Sequence, residues 1–182
     1  MFKKVLLFIL IICSLICCKK VEKINNIEKS SSLKEIRKHG KAFFDFDQVE
    51  HYFIDIEEGE AMDLAVKNTP SEEEKALSDI LVNFNMNFTD NLEDYNFKKT
   101  VLDNSKLDVI NNIFSVNKCE TAHAYSCVPV FRDIFIFKKN KKIVGKAKVC
   151  FDCRLYHIEG TKENTLDFGQ CGDFEKLKKL LK

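Results

Sequence analysis

The sequence predicts an α+β fold, a small antiparallel sheet with a long C-terminal hairpin packed against several short helices. Three observations carry this expectation. Residues 127–153, "CVPVFRDIFIFKKNKKIVGKAKVCFDC", form two runs rich in aromatic and β-branched residues around the basic turn Lys139-Asn140-Lys141, the pattern of a hairpin. A further run of this kind, "AFFDFDQVEHYFIDI", lies far upstream. Elsewhere, apolar residues recur at helical spacing behind Ser, Thr or Asn, as capped amphipathic helices require.

Taken in order, the chain opens on "MFKKVLLFILIICSLICCKK". Lys3 and Lys4 form a basic leader and residues 5–16 an apolar run of signal-peptide length. A membrane-spanning helix needs roughly 20 apolar residues, and Lys19 and Lys20 close this run earlier. Its end, Leu15-Ile16-Cys17-Cys18, resembles a bacterial lipoprotein box, with Cys17 standing where Gly, Ala or Ser is usual. The resemblance implies a signal peptide over 1–17 and Cys18 as the lipidated first residue of the mature chain, carrying diacylglycerol and an N-acyl chain such as palmitate. Each buried CH₂ is worth about 0.8 kcal/mol, and more than one chain gives stable anchoring. An uncleaved N-terminal anchor is the alternative. Residues 18–32, with few apolar side chains and no aromatic, read as a flexible spacer.

A single domain is expected over 33–182, since 45% apolar content can supply a core. Of 29 basic and 28 acidic residues in the whole chain, cleavage after residue 17 removes Lys3 and Lys4 and no acid, which leaves the rest slightly acidic. The charges are interspersed, so the basic excess that nucleic-acid binding requires is missing.

Ser32-Leu33-Lys34-Glu35 has the form of a capping box opening a short helix that stops at His39-Gly40. Residues 49–56 read as a strand with Tyr52, Ile54 and Ile56 on one side, and residues 60–67 as a short helical turn. Thr69-Pro70-Ser71-Glu72 places Thr69 as cap, Pro70 at the first helical position and Glu72 as the box partner of a helix. Ala76, Leu77, Ile80, Leu81 and Phe84 form its apolar stripe. Asn104 or Ser105 opens another helix, burying Leu107, Ile110, Ile113 and Phe114. The last begins at Asp173, with Phe174, Leu177, Leu180 and Leu181 inward and lysines outward.

Side chains alternate faces along a strand, so parity in the hairpin can be counted. Phe131, Phe135 and Phe137 share one face of the first strand; Ile143, Ala147, Val149 and Phe151 share one face of the second. A three-residue loop at 139–141 puts both apolar sets on one side and sets Cys127 opposite Cys153, where Cβ atoms stand about 4.5–5.5 Å apart. A disulfide there restricts the unfolded chain by roughly 3.5 kcal/mol on the chain-entropy model. Cys150 then points to the other face. A one-residue slip pairs Cys127 with Cys150 instead and splits the apolar faces.

Of 8 cysteines, Cys13 and Cys17 leave with the signal peptide and Cys18 takes lipid. Cys119, Cys127, Cys150, Cys153 and Cys171 remain, an odd number, so in an oxidising envelope at least one stays free or pairs between molecules. Cys150-x₂-Cys153-x₃-His157, with Cys127 or His123 as a fourth ligand, is the metal alternative, for zinc or copper. It has one CxxC where a strong zinc signal has two. The thioredoxin reading lacks a helix after the CxxC, and c-type haem attachment fails because Arg154 follows the second cysteine. Cys127 with His123, or Cys153 with His157, has the residue types of a thiol nucleophile and its base. The acids Asp45, Asp47, Glu50, Asp55, Glu57 and Glu58 lack the glycine-bearing loop of a calcium-binding EF-hand. Glycine-rich phosphate loops, GxSxG and HExxH are missing, so no catalytic residue is assigned.

The C-terminal third, "FRDIFIFKKNKKIVGKAKVCFDC" followed by "FGQCGDFEKLKKLL", resembles a family of uncharacterised lipoproteins from Bacteroidota: a lipobox, a polar spacer, and a domain ending in a hairpin, a CFxC segment and a short helix after FGxxGD. The resemblance covers residues 125–182 and implies localisation without an activity. The expectation is a non-enzymatic envelope lipoprotein, a binding or assembly module held at the bacterial outer membrane through Cys18, with the membrane and other envelope proteins as partners. A periplasmic metal-binding or thiol-active protein centred on Cys150, Cys153 and His157 is the alternative.

Overall fold

The computed structural model describes residues 40–86, 91–119 and 126–182, all of them in a unit spanning His39–Lys182. The signal peptide, Cys18, the spacer and the helix expected after Ser32 lie outside the described residues, as does His123. Five antiparallel strands build one sheet in the order β2-β1-β3-β4-β5: β1 (Gln48–Phe53), β2 (Lys98–Val101), β3 (Asp133–Lys139), β4 (Lys142–Cys150) and β5 (Leu155–Glu159). Four α-helices pack on it: α1 (Glu58–Val66), α2 (Glu72–Val82), α3 (Leu107–Ile113) and α4 (Asp173–Leu180), with short 3₁₀ turns at Leu92–Tyr95 and Asn104–Lys106. The fold class is the α+β sheet-and-hairpin arrangement that the sequence predicts.

β3 lies at the centre of the sheet and carries apolar residues on both faces, so helices cover both sides. On one face Phe135 and Phe137 join Val49, Ala147 and Val149 beneath α3, α4 and the aromatic residues Phe43, Phe44 and Phe168. On the other, Ile134 and Ile136 join Tyr52, Ile54 and Ile56 beneath α1 and α2. The strands at the two edges, β2 and β5, are short, and "KKTV" in β2 is fully exposed. Lysines on an exposed edge disfavour pairing with another chain.

The hairpin differs from the predicted register. The loop is two residues long, with Asn140 and Lys141 both at positive φ (48° and 65°), as a type I′ turn requires. A bulge at Val144 then shifts the pairing, so that Phe137 faces Gly145 while Lys138 faces Ile143. The shorter turn and the extra residue together displace the register by two positions, which preserves parity: Phe135, Phe137, Ala147 and Val149 do share a face. Ile143, on the turn side of the bulge, packs with the opposite core instead. Phe131, which precedes β3, also leaves the predicted set and packs against Cys150 and Cys153.

The last helix starts at Asp173 as expected, and the starts of the other three are displaced by one or two residues. Ser71, rather than Thr69, caps α2: its hydroxyl accepts the Glu74 N–H at 3.1 Å and its own N–H donates to Glu74 Oε2 at 2.8 Å, a complete capping box. This start puts Glu72, Glu73 and Glu74 together in the first turn, where the helix dipole favours negative charge. Asp103 caps the turn leading into α3 by accepting the Ser105 N–H at 2.8 Å.

Gly145 lies beneath the Phe44 ring, and a Cβ there would come within 2.2 Å of it. Phe44 in turn rests on Phe137 with ring centroids 4.6 Å apart. Gly145→Ala is therefore expected to destabilise the fold by about 1–3 kcal/mol through overpacking. Gly59, in α1, has no heavy atom near a built Cβ, so Gly59→Ala is expected to stabilise by roughly 0.5–1 kcal/mol through helix propensity. Urea unfolding midpoints with disulfides intact check the opposite signs.

Candidate functional site

The cysteine-rich end of the hairpin is assembled by three chain segments. Residues 126–132 lead into β3 and are anchored by backbone bonds from Phe131 N–H to Leu81 O (2.7 Å) and from Ile54 N–H to Arg132 O (3.1 Å). β4 ends at Cys150, residues 151–154 turn with Arg154 at φ 52°, and β5 begins at Leu155, paired with Cys150. Arg132 fastens this turn from the side: its Nε donates to Ile56 O at 2.7 Å and its terminal nitrogen meets Asp152 Oδ2 at 2.9 Å. Arg154 pairs with Glu175 of α4.

Within this frame Cys127 and Cys153 are joined as a disulfide with Cα atoms 6.0 Å apart, inside the usual range. The route differs from the predicted one, since β3 starts only at Asp133 and Cys153 lies in a turn. The bond links an irregular segment to a loop, and no strand register sets it. Cys150 likewise departs from expectation. It is buried at 2% exposure in one cluster with Phe131 and Cys153, and its Sγ accepts the Cys153 N–H at 3.4 Å. Strand parity would put the two on opposite faces if β4 ran through Phe151; the strand ends at Cys150, and the turn after it folds Cys153 back onto Cys150.

A second disulfide, Cys119–Cys171, with Cα atoms 5.7 Å apart, ties the segment after α3 to the segment before α4. Cys150 is the free cysteine among the described residues. While Cys127 and Cys153 are joined to each other, neither has a thiolate to offer a metal or a nucleophilic mechanism. Among the described residues no group of three or more His, Cys, Asp or Glu side chains is arranged to hold a metal ion. His157, the remaining member of the metal alternative, interacts with Glu159 Oε1 through Nε2 at 2.9 Å and meets the edge of Phe84 at a centroid distance of 6.4 Å.

Beside the cysteines, on the same face of β4, stands Lys148, fully buried. Its Nζ donates to Asn83 O at 3.1 Å, lies 3.5 Å from Asp79 O and sits over the Phe131 ring at 5.6 Å. α2 has no basic residue in its own last turn and Asn83 is its C-terminal cap, so a lysine from the sheet supplies the positive charge that the carbonyl end of the helix favours. Burial pushes its amine down to about 8, against the opposing pull of Asp79 and Glu159. No local signal in the sequence separates buried Lys148 from half-buried Lys146.

The acids considered for calcium have other partners. Glu50, 3% exposed, is held by Lys99 (3.0 Å), Lys138 (2.9 Å) and the Tyr52 hydroxyl (3.0 Å). Burial raises its carboxyl, and the hydrogen bonds from Lys138, Lys99 and Tyr52 together outweigh that and hold it below its ordinary range. Asp45 pairs with Lys139 at 3.0 Å, and Asp47 accepts the Asn140 N–H at 2.9 Å, which secures the hairpin turn. Glu57 and Glu58 open α1, and Asp55 is exposed. A pair missed in the sequence, His51 and Asp133, meets at 2.7 Å across β1 and β3, with the imidazole stacked on Phe135 at 4.8 Å. An open depression of about 280 Å³ lies between residues 42–46 and α3, lined by Phe44, Phe46, Leu107, Asp45, Asp108 and Asn111 among others.

No family model matches the chain, and no curated protein or solved structure matches it. The reading of function therefore rests on its own residues.

Because the Lys148 amine titrates at about 8 when folded and at 10.5 ordinarily, the unfolded chain binds more protons between those values. Stability contributed by this group is lowest below pH 8 and rises as pH rises towards 10.5. Each unit is worth about 1.4 kcal/mol. Lys148→Met is expected to remove this pH-dependent increment, so the stability of wild type minus that of the variant rises between pH 7.5 and 10. Urea unfolding of both proteins at the two pH values measures it.

Proposed function

We infer that the protein is a membrane-anchored envelope lipoprotein, a non-enzymatic binding or assembly module attached to the bilayer through lipid on Cys18. The observation that carries this reading is the apolar run 5–16 ending at Cys17-Cys18 and followed by the polar stretch 19–32. The cysteines of the folded domain support it independently. Four of the five after residue 18 are joined in two disulfides, the use expected in an oxidising compartment and rare in a reducing one. Among the described residues no helix is long and apolar enough to cross a membrane.

The sites described so far favour structure over turnover. Lys148, Glu50 and Arg132 each bind groups of the fold itself.

Labelled palmitate is expected to be incorporated into the full-length protein expressed in a bacterial host and to be lost in Cys18→Ala. Incorporation that survives both Cys18→Ala and Cys17→Ala would contradict the anchor.

A further inference from the structure

The three sulfurs at the end of the hairpin have a chemistry beyond stapling. We propose that Cys150 exchanges with the Cys127–Cys153 disulfide, so that the free thiol moves from the core to Cys127 at the surface.

The geometry brings the reacting groups together. Cys150 Sγ receives the N–H of Cys153 itself at 3.4 Å, and both residues pack in one cluster with Phe131. The turn at residues 151–154, between the paired residues Cys150 and Leu155, folds Cys153 back onto Cys150, so that the Cys153 backbone nitrogen stands 3.4 Å from the Cys150 sulfur. The alternative bond, Cys150–Cys153, is therefore within reach without unpairing β4 from β5.

The step balances without any other reactant. Cys150 loses its proton to solvent and its thiolate attacks Cys153 Sγ. The Cys150–Cys153 bond forms as the Cys153–Cys127 bond breaks, and the electron pair departs on Cys127 Sγ, which takes up a proton. One disulfide exists before and one after, so nothing is oxidised or reduced overall.

Two features favour the forward direction. The departing thiolate is on Cys127, which is exposed, whereas Cys150 is buried, so the charge is better solvated by water after the exchange than before it. The anchor points at Phe131 N–H and Arg132 O lie on the strand side of Cys127, so residues 126–128 can release without disturbing β3. The closed loop also shrinks from a separation of 26 residues to one of three, which frees the segment before β3. The outcome is a surface thiol available to a thiol-reactive partner, delivered from a position where it is protected.

The proposal needs only the disulfides of the folded domain and is independent of the lipid on Cys18. The test uses full-length protein extracted in detergent without reductant. It is held in excess N-ethylmaleimide at mildly alkaline pH under native conditions, quenched in acid and digested without reduction. The expected result is label accumulating on Cys127 with Cys150 and Cys153 joined to each other, and in Cys150→Ser a Cys127 signal at background with Cys127–Cys153 intact. Label found only on Cys150 or on Cys153, or no label until the protein is denatured, would overturn it. The labelling rate in low urea separates native exchange from exchange in the unfolded chain: an unchanged rate is expected, and a rate that climbs in step with the unfolding equilibrium overturns the proposal.

Discussion

The burial of β3 on both of its faces is the constraint from which the rest of the molecule follows. Ile134 and Ile136 point one way and Phe135 and Phe137 the other, all essentially without solvent contact. A strand of this kind needs a neighbour on each edge and a covering layer on each face. β1 and β4 supply the edges, α1 and α2 cover one face, and α3 and α4 cover the other. The one polar side chain that β3 buries at its start, Asp133, is met by His51 from β1, so the strand enters the core without an unsatisfied carboxylate.

The same constraint explains why chemistry gathers at the far end of β4. Alternate residues of β4 complete the Phe135 core, as Ala147 and Val149 do, and send Lys148 and Cys150 into the opposite layer. Lys148 survives there because α2 ends against it and offers carbonyl oxygens. Phe131 and Leu155 enclose the sulfur of Cys150. The cation, the thiol and the disulfide are thus placed by the packing of one helix end and one turn on the sheet, and local sequence does not encode that packing.

Much of this architecture is legible in the sequence because hydrophobic periodicity reports burial directly. The stripes of α3 and α4, Leu77, Ile80 and Leu81 of α2, the shared side of Tyr52, Ile54 and Ile56 in and just after β1, and the shared face of Phe135, Phe137, Ala147 and Val149 appear in the periodicity and in the structure, whereas Phe84, expected on the α2 stripe, lies beyond the helix end and is 47% exposed. The register is not legible in this way, because a turn with two residues at positive φ and a bulge at Val144 compensate each other in parity while shifting the count by two. β2 escapes notice since "KKTV" is an exposed edge with no apolar side to bury. Cys150 and Cys153 were assigned to different faces by extending a strand into what is a turn. The Cys119–Cys171 bond joins segments 52 residues apart; an odd total of cysteines constrains how many pair and leaves open which ones do.

The oxidised state of the domain carries both the inferred location and the sulfur chemistry. Protein taken from its native cells directly into acid and alkylating reagent, then mapped without reduction, tests it directly. The account expects Cys119 joined to Cys171 in every molecule and a single thiol per domain, drawn from Cys127, Cys150 and Cys153. Five free thiols in the domain, or Cys119 paired with a member of that cluster, would contradict it.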